Sequence, residues 1–128
     1  MPSLNFSTFA YPIANVIVPS GGPKCVPAVA DFTNTPTYDI DGQQIIDQHQ
    51  MEYIQGVYID NADNAVPVTL ICGGTNQRVV CGSNMQGFFP LLVQTPPKFT
   101  ISTVQAGGRK VNLQFYNVPI MSCNWKAL

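Results

Sequence analysis

The fold of this chain is decided by the stretch Lys110-Val111-Asn112-Leu113-Gln114-Phe115-Tyr116-Asn117. Apolar side chains at Val111, Leu113 and Phe115 alternate with polar side chains at Asn112 and Gln114. Successive side chains of a β-strand point to opposite faces of its sheet, so this stretch has one apolar face and one polar face. The pattern predicts a strand in the wall of an antiparallel sandwich or barrel.

Similar short runs recur along the chain between turn residues. The 128 residues include 10 Gly and 11 Pro, a density that leaves no room for long helices. We predict strands at residues 13–18, 27–32, 37–40, 53–60, 67–71, 77–81, 88–93, 98–104 and 110–117. Eight or nine short strands predict an all-β fold, an antiparallel two-sheet β-sandwich of jelly-roll-like topology. We expect a single domain over residues 1–128, with a possible N-terminal arm at 1–12 and a C-terminal tail at 119–128.

Two segments leave alternatives open. Residues 88–93 are apolar on both faces, which is typical either of a central strand covered on both sides or of a strand with one face on a partner. Residues 43–51 form the only segment with helical character, and we interpret them as a single turn or an irregular strand.

The composition favours a protein that works in an assembly. The chain is 45% hydrophobic but only 10% charged, against roughly 25% in typical soluble domains. A surface with so few charges has little electrostatic repulsion to oppose its association with other proteins. The net charge is −1 and the six Lys and Arg form no basic stripe, which predicts no nucleic-acid partner. No signal peptide is visible, and no apolar run approaches the ~20 residues that cross a bilayer, so we expect no membrane partner.

The charges are segregated along the sequence. Every acidic residue lies between positions 31 and 63, and every basic residue except Lys24 follows that segment. Folding can mix the two groups on one surface. Alternatively, the subunit is dipolar, and its acidic side meets the basic side of a neighbour.

The sequence contains no residue pattern typical of a catalytic or metal-binding site. The sole histidine, His49, has no nucleophile motif near it, and the cysteines lack the short spacing of zinc ligands. Residues 60–64 lack the alternate oxygen ligands of a calcium loop and predict a turn. We therefore expect no enzyme, no metal and no cofactor. Because no secretion signal is visible, Cys25, Cys72, Cys81 and Cys123 are interpreted as reduced, buried small apolar residues. A Cys72–Cys81 bridge is the minor alternative, since a hairpin turning at 73–76 would not place these two opposite each other.

Exposed aromatic residues offer a different function, that of a sugar-binding sandwich. Flat aromatic platforms bind sugars in such modules, and the candidates are Tyr11, Tyr38, Tyr53, Tyr58, Tyr116 and Trp125. The alternative is that these rings are buried at sheet rims with their polar atoms in water.

Four blocks between residues 51 and 119 carry a family resemblance. They are Tyr-Ile-Gln-Gly-Val-Tyr-Ile-Asp-Asn at 53–61, Gln-Gly-Phe-Phe-Pro at 86–90, Thr-Pro-Pro-Lys-Phe-Thr at 95–100 and Leu-Gln-Phe-Tyr-Asn-Val-Pro at 113–119. In this order they resemble a family of small proteins encoded among the virion genes of tailed bacteriophages and prophages, and the match covers over half of the chain.

The resemblance implies a non-enzymatic structural virion protein, closest to capsid cement or decoration proteins of the Bordetella-phage type. Such a protein is made in the bacterial host cytoplasm and lies on the capsid exterior. Its expected partners are the major capsid protein and further copies of itself, by default as a homodimer, with a higher oligomer as a second option. The alternative is a receptor-binding or tail-fibre accessory module that recognises a host-surface glycan or protein.

Interface candidates in the sequence are apolar side chains at the chain ends and at a proline elbow. They are Phe6, Phe9, Pro96, Pro97, Phe99 and Trp125.

Overall fold

The computed structural model describes residues 22–73, 77–91, 98–104 and 110–119. The strands are β1 Cys25–Asp31, β2 Thr37–Asp41, β3 Gly56–Asp60, β4 Val68–Cys72, β5 Gln77–Cys81, β6 Gln86–Pro90, β7 Lys98–Thr103 and β8 Lys110–Tyr116. Each overlaps a predicted strand. The remaining prediction, at 13–18, lies outside the described residues.

The strands form two four-stranded antiparallel sheets, so the predicted all-β sandwich is confirmed. One sheet has the order β1-β8-β3-β6, and the other has the order β2-β7-β4-β5. The pairs β1–β8, β2–β7, β3–β6 and β4–β5 are nested, as in a long hairpin whose two arms have rolled up together. This strand order is jelly-roll-like.

The core lies between the two sheets and contains the apolar face predicted for β8. Val111, Leu113 and Phe115 are at most 1% exposed. The ring of Phe115 stacks on Phe99 of β7 with 5.0 Å between centroids, which joins the two sheets directly. Ile101, on the same face of β7 as Phe99, is also fully buried.

An α-helix, α1 Gly42–His49, connects β2 to β3. The Asp41 side chain caps its first turn by accepting hydrogen bonds from the backbone N–H groups of Gln43 and Gln44. The cap satisfies donors that a helix start leaves without partners. Ile45 and Ile46 pack against the core. The prediction of a single turn or an irregular strand here was wrong, because one cap and two apolar contacts stabilise two turns of helix.

The strand predicted at 88–93 is the edge strand β6, so the central position covered by strands on both sides is excluded. Phe89 packs against the core, and Phe88 points to the outer face of its sheet. The other option, a face that meets a partner, stays a prediction.

Cys72 and Cys81 are not opposite each other, as the hairpin prediction required. Cys72 faces Gln77, and Cys81 faces Val68. Both side chains are buried, at 0% and 2% exposure, and act as small apolar residues of the core.

Hydrogen bonds from Asn61 join two loops at one end of the sandwich. Its buried side-chain amide donates to the carbonyls of Val66 and Gly82, at 2.9 and 3.0 Å. Its Oδ1 accepts a hydrogen bond from Asn64 at 3.0 Å. The predicted turn at residues 60–64 is confirmed, and the β3–β4 and β5–β6 loops are fixed to each other.

Asn117 does the same at the opposite end. Its Oδ1 accepts from the Lys24 backbone N–H at 2.7 Å, and its amide donates to the Gly22 carbonyl at 3.0 Å. The buried Gln55 amide donates to the Asn117 carbonyl at 2.9 Å. The start of β1 and the end of β8 are therefore held together.

We predict that Asn61→Ala lowers the free energy of unfolding by about 2–4 kcal/mol, because it removes three hydrogen bonds and leaves two partly buried carbonyls without donors. Urea unfolding followed by circular dichroism measures the change. Asn112→Ala is the matched control, since Asn112 is exposed on β8, and a change of no more than about 0.5 kcal/mol is expected there. Equal unfolding midpoints for the two variants would contradict the role of Asn61.

Candidate protein-binding surfaces

No three His, Cys, Asp or Glu side chains among the described residues lie close enough to hold a metal ion. Burial raises the pKa of the Cys81 thiol and of the Tyr58 hydroxyl. Hydrogen bonds from the Thr33 hydroxyl and backbone N–H lower the pKa of Asp31. Each shift has an ordinary structural cause, namely burial for Cys81 and Tyr58 and local hydrogen bonds for Asp31.

An aromatic and apolar patch covers one half of the outer face of the β1-β8-β3-β6 sheet. The strand register brings together Pro27, Tyr58, Phe88, Pro90 and Tyr116. The half of the face nearer the Asn61 loops carries Asp60, Gln86 and Asn112 instead. We call the first half the aromatic face.

Phe88 is fixed in place on the aromatic face. Its ring meets Tyr116 edge-on at 5.3 Å. A Cβ atom on Gly56 would lie 2.5 Å from the Phe88 ring, so the ring rests directly on the glycine backbone. The Tyr116 hydroxyl donates to Gln114, and the Tyr58 hydroxyl donates to Gln86. Tyr58, Phe88 and Pro90 are half-buried and Tyr116 has no exposed surface, so these residues pack mainly on one another, and Pro27 alone of the five is exposed.

The outer face of the other sheet is polar and rich in hydroxyl groups. Its outward side chains from β2 and β7 include Thr37, Thr100 and Ser102, and β4 adds Thr69. Thr100 donates a hydrogen bond to Asp39 at 2.9 Å. A shallow depression at the β2 edge is lined by Asp39, Ile40, Asp41, Lys98, Phe99 and Thr100. The two faces of the sandwich thus differ in chemistry.

Large apolar side chains are exposed at the margins of the sandwich. In the described part of the chain they are Val29 at 45%, Tyr38 at 37%, Val80 at 59%, Met85 at 58% and Val104 at 71%. Val29, Tyr38 and Val80 lie on edge strands, and Met85 precedes β6. Exposed apolar groups at sheet edges are candidate contacts for another protein.

Most of the predicted interface residues lie outside the described ranges, namely Phe6, Phe9, Pro96, Pro97 and Trp125. Phe99 is described, and its ring is 3% exposed within the core. The ring is thus part of the core, and the interface assignment of the proline elbow stays a prediction. No local sequence pattern marks Phe88 and Tyr116 as one patch, because their contact depends on strand order and on Gly56.

The aromatic residues considered as sugar-binding platforms differ in their exposure. Tyr116 has no exposed surface, because other groups cover its ring. Tyr53 and Tyr58 are half-buried, and Tyr38 is exposed at the edge. Tyr11 and Trp125 lie outside the described residues. The described tyrosines therefore match rim positions better than an open platform.

A comparison with protein families identifies the chain. The model of the family described as "Bacteriophage PRD1, P5, spike N-terminal" matches residues 3–125. The chain belongs to this spike N-terminal family. Its predicted nature as a bacteriophage structural protein is thereby confirmed at the level of the family.

Two relatives from Enterobacteria phage PRD1 place the family in the virion. The chain is 31% identical over 114 residues to "Penton protein P31", which covers 89% of this chain and 90% of the penton protein. It is 29% identical over 119 residues to "Spike protein P5", which covers 93% of this chain but 33% of the spike protein. The chain therefore spans most of one relative and about a third of the other.

A solved structure gives a weaker likeness. A chain of the virus-like particle of Macrobrachium rosenbergii extra small virus, from the giant freshwater prawn, superposes with a TM-score of 0.41 at 16% identity, over 91% of this chain and 92% of that chain. A score this low does not establish a shared fold.

Within the described ranges, no helix is long and apolar enough to span a membrane.

We predict that Gly56→Ala destabilises the fold by about 1–3 kcal/mol, because the new methyl group displaces Phe88 and presses on the Val118 carbonyl, 3.0 Å away. Thermal unfolding measures the loss, and near-ultraviolet circular dichroism reports the disturbed Phe88–Tyr116 contact. Gly73→Ala is the control, since its Cβ would meet its nearest neighbour at 3.4 Å, an ordinary contact. Equal effects at both glycines would contradict the close packing of Phe88.

Proposed function

We propose that this chain is a penton-type structural protein, which forms a closed ring of identical copies at the vertices of a phage capsid. The observation that carries the proposal is the similarity to the penton protein, which extends over nine-tenths of both chains. A penton is the capsomere at a five-fold vertex. A cement or decoration role is a more specific form of this proposal. In that role the chain binds the major capsid protein and lies on the capsid exterior.

The surface chemistry supports an assembly role. An overall charge content of 10% keeps electrostatic repulsion between copies low. A standard interface buries about 800 Å² on each partner. Several such contacts in one ring reinforce each other, because the later contacts form within an already assembled complex.

A ring is favoured over the default homodimer by the shape of the sandwich. A cyclic ring with more than two copies needs two different sides that fit each other, whereas a two-fold dimer uses one side twice. One lateral side here is formed by β1 and β2, and the opposite side by β5 and β6. The two sides carry different residues, as a head-to-tail contact requires.

The alternative of a receptor-binding module is supported by the similarity to the spike protein. That similarity covers only a third of the spike protein, and the matched family is described as its N-terminal part. We propose that the shared part is the attachment base, and that recognition of a host surface belongs to the part that this chain does not match.

The test uses the purified full chain and phage shells from which the vertices have been removed. We expect native mass spectrometry to give five times the protomer mass of 13.9 kDa, and cryo-electron microscopy to show added density at the five-fold vertices. At a concentration 100 times the dissociation constant, binding stabilises each occupied site by about 2.7 kcal/mol, which a higher disruption temperature of the shell reports. Shells that retain their vertices are the control, because their sites are occupied.

A chain that stays monomeric and leaves stripped shells bare would contradict the proposal. Saturable binding to host cells or to a glycan array, without binding to shells, would favour the receptor-binding alternative.

A further inference from the structure

The β2-β7-β4-β5 sheet carries opposite charges at its two edges, and the charges lie in the same row. The register aligns Asp39 of β2 with Thr100, Thr100 with Ile71, and Ile71 with Arg78 of β5. Neighbouring strands are about 4.8 Å apart, so Asp39 and Arg78 are separated by about 14 Å within one chain. They are too far apart to pair with each other.

Arg78 differs from the other basic residues that the structure describes. Lys110 lies opposite Asp31, and Lys98 lies opposite Asp41 in the strand register. Lys24 donates to the carbonyls of His49 and Gln50 at the end of α1. Arg78 is exposed and has no ion pair with a described residue. Asp39 is exposed too, and its hydrogen bond to Thr100 leaves one carboxylate oxygen for another partner.

The edge strands of the two sheets differ in whether they contain proline. The edge strands of the β1-β8-β3-β6 sheet each contain a proline, Pro27 in β1 and Pro90 in β6. Proline removes a backbone donor and blocks the pairing of an edge with another strand. The β2 edge and the β5 edge contain no proline. The sheet that carries Asp39 and Arg78 at its edges is therefore also the sheet whose two edge strands lack proline.

We propose that the β2 edge of one copy meets the β5 edge of the next copy, with Asp39 facing Arg78 across the seam. This inference rests on the proposed ring and names the surface that closes it. Exposed Val80 at the β5 edge and exposed Thr37 at the β2 edge share the adjacent row, so they add a second contact.

Strand direction fits this head-to-tail seam. All pairs in the sheet are antiparallel, so β2 and β5 run in opposite directions. Rotation about an axis parallel to the strands keeps those directions and sets β2 of one copy antiparallel to β5 of the next. A two-fold contact centred on this row would bring like charges together, Asp39 to Asp39 or Arg78 to Arg78, which is unfavourable.

Charge reversal with rescue tests the seam. Arg78→Glu or Asp39→Lys alone places like charges opposite each other, and we expect the concentration for half-assembly to rise at least about tenfold. The double variant restores the opposite charges in reverse order and returns that concentration to within about threefold of the original. Sedimentation velocity measures the assembly, and circular dichroism checks that each variant is folded.

Two controls separate the seam from general effects of charge. Lys110→Glu makes the same charge change on the other sheet and leaves assembly unchanged. Asp39→Asn keeps an acceptor for the Thr100 hydroxyl and removes only the charge, so its effect is smaller than that of Asp39→Lys.

Paired cysteines give an independent readout. In a background carrying Cys25→Ser and Cys123→Ser, Thr37→Cys together with Val80→Cys yields a ladder of covalent oligomers under oxidising conditions, whereas the background and each single variant do not. A dimer from Thr37→Cys alone in that background would overturn the head-to-tail seam.

The possible failures are distinguishable. If the original chain forms rings, but the single reversals assemble normally or the double variant is not rescued, the seam is wrong and the ring proposal stands. If the original chain forms no oligomer and does not bind stripped shells, the proposed function itself fails.

Discussion

The structure depends on the burial of one face of β8 against the opposite sheet. Strand β8 pairs with both β1 and β3, so it holds its sheet together from the inside. Its residue Phe115 stacks on Phe99 of β7, the strand that pairs with both β2 and β4 in the other sheet. This aromatic contact thus connects an internal strand of one sheet to an internal strand of the other.

The alternation of Val111, Leu113 and Phe115 was sufficient to predict the sandwich, because a period of two is a local property of the chain. The order of strands within each sheet is not local. Residues 88–93 were apolar enough for a central strand, yet β6 is an edge strand, and Phe88 is covered because Gly56 on β3 leaves room for its ring. No pattern within 88–93 contains that information. The helix was missed for a related reason, since it depends on the Asp41 cap.

The interface candidates were chosen because they are apolar, and the sequence alone does not show whether an apolar residue lies in the core or on the surface. The apolar side chain of Phe99 would suit an interface, but in the fold it packs among core residues. The segregation of charge along the sequence was visible; the structure supports its mixing by folding, and the dipolar interpretation stays a prediction. Folding brings Asp31 beside Lys110 and Asp41 beside Lys98, which mixes the two groups. Asp39 and Arg78 do not lie beside residues of opposite charge in this way, because they are on opposite edges of one sheet.

This distribution explains how a chain with few charges can still orient its neighbours. Charges that are matched within a sheet contribute little to association, since their fields largely cancel at the distance of a second copy. An unmatched charge at an edge keeps its field, and electrostatic complementarity governs orientation more than affinity. Affinity then comes from apolar groups such as Val80, at the same edge. In the proposed ring, the outer face of the other sheet, β1-β8-β3-β6, lies away from this seam.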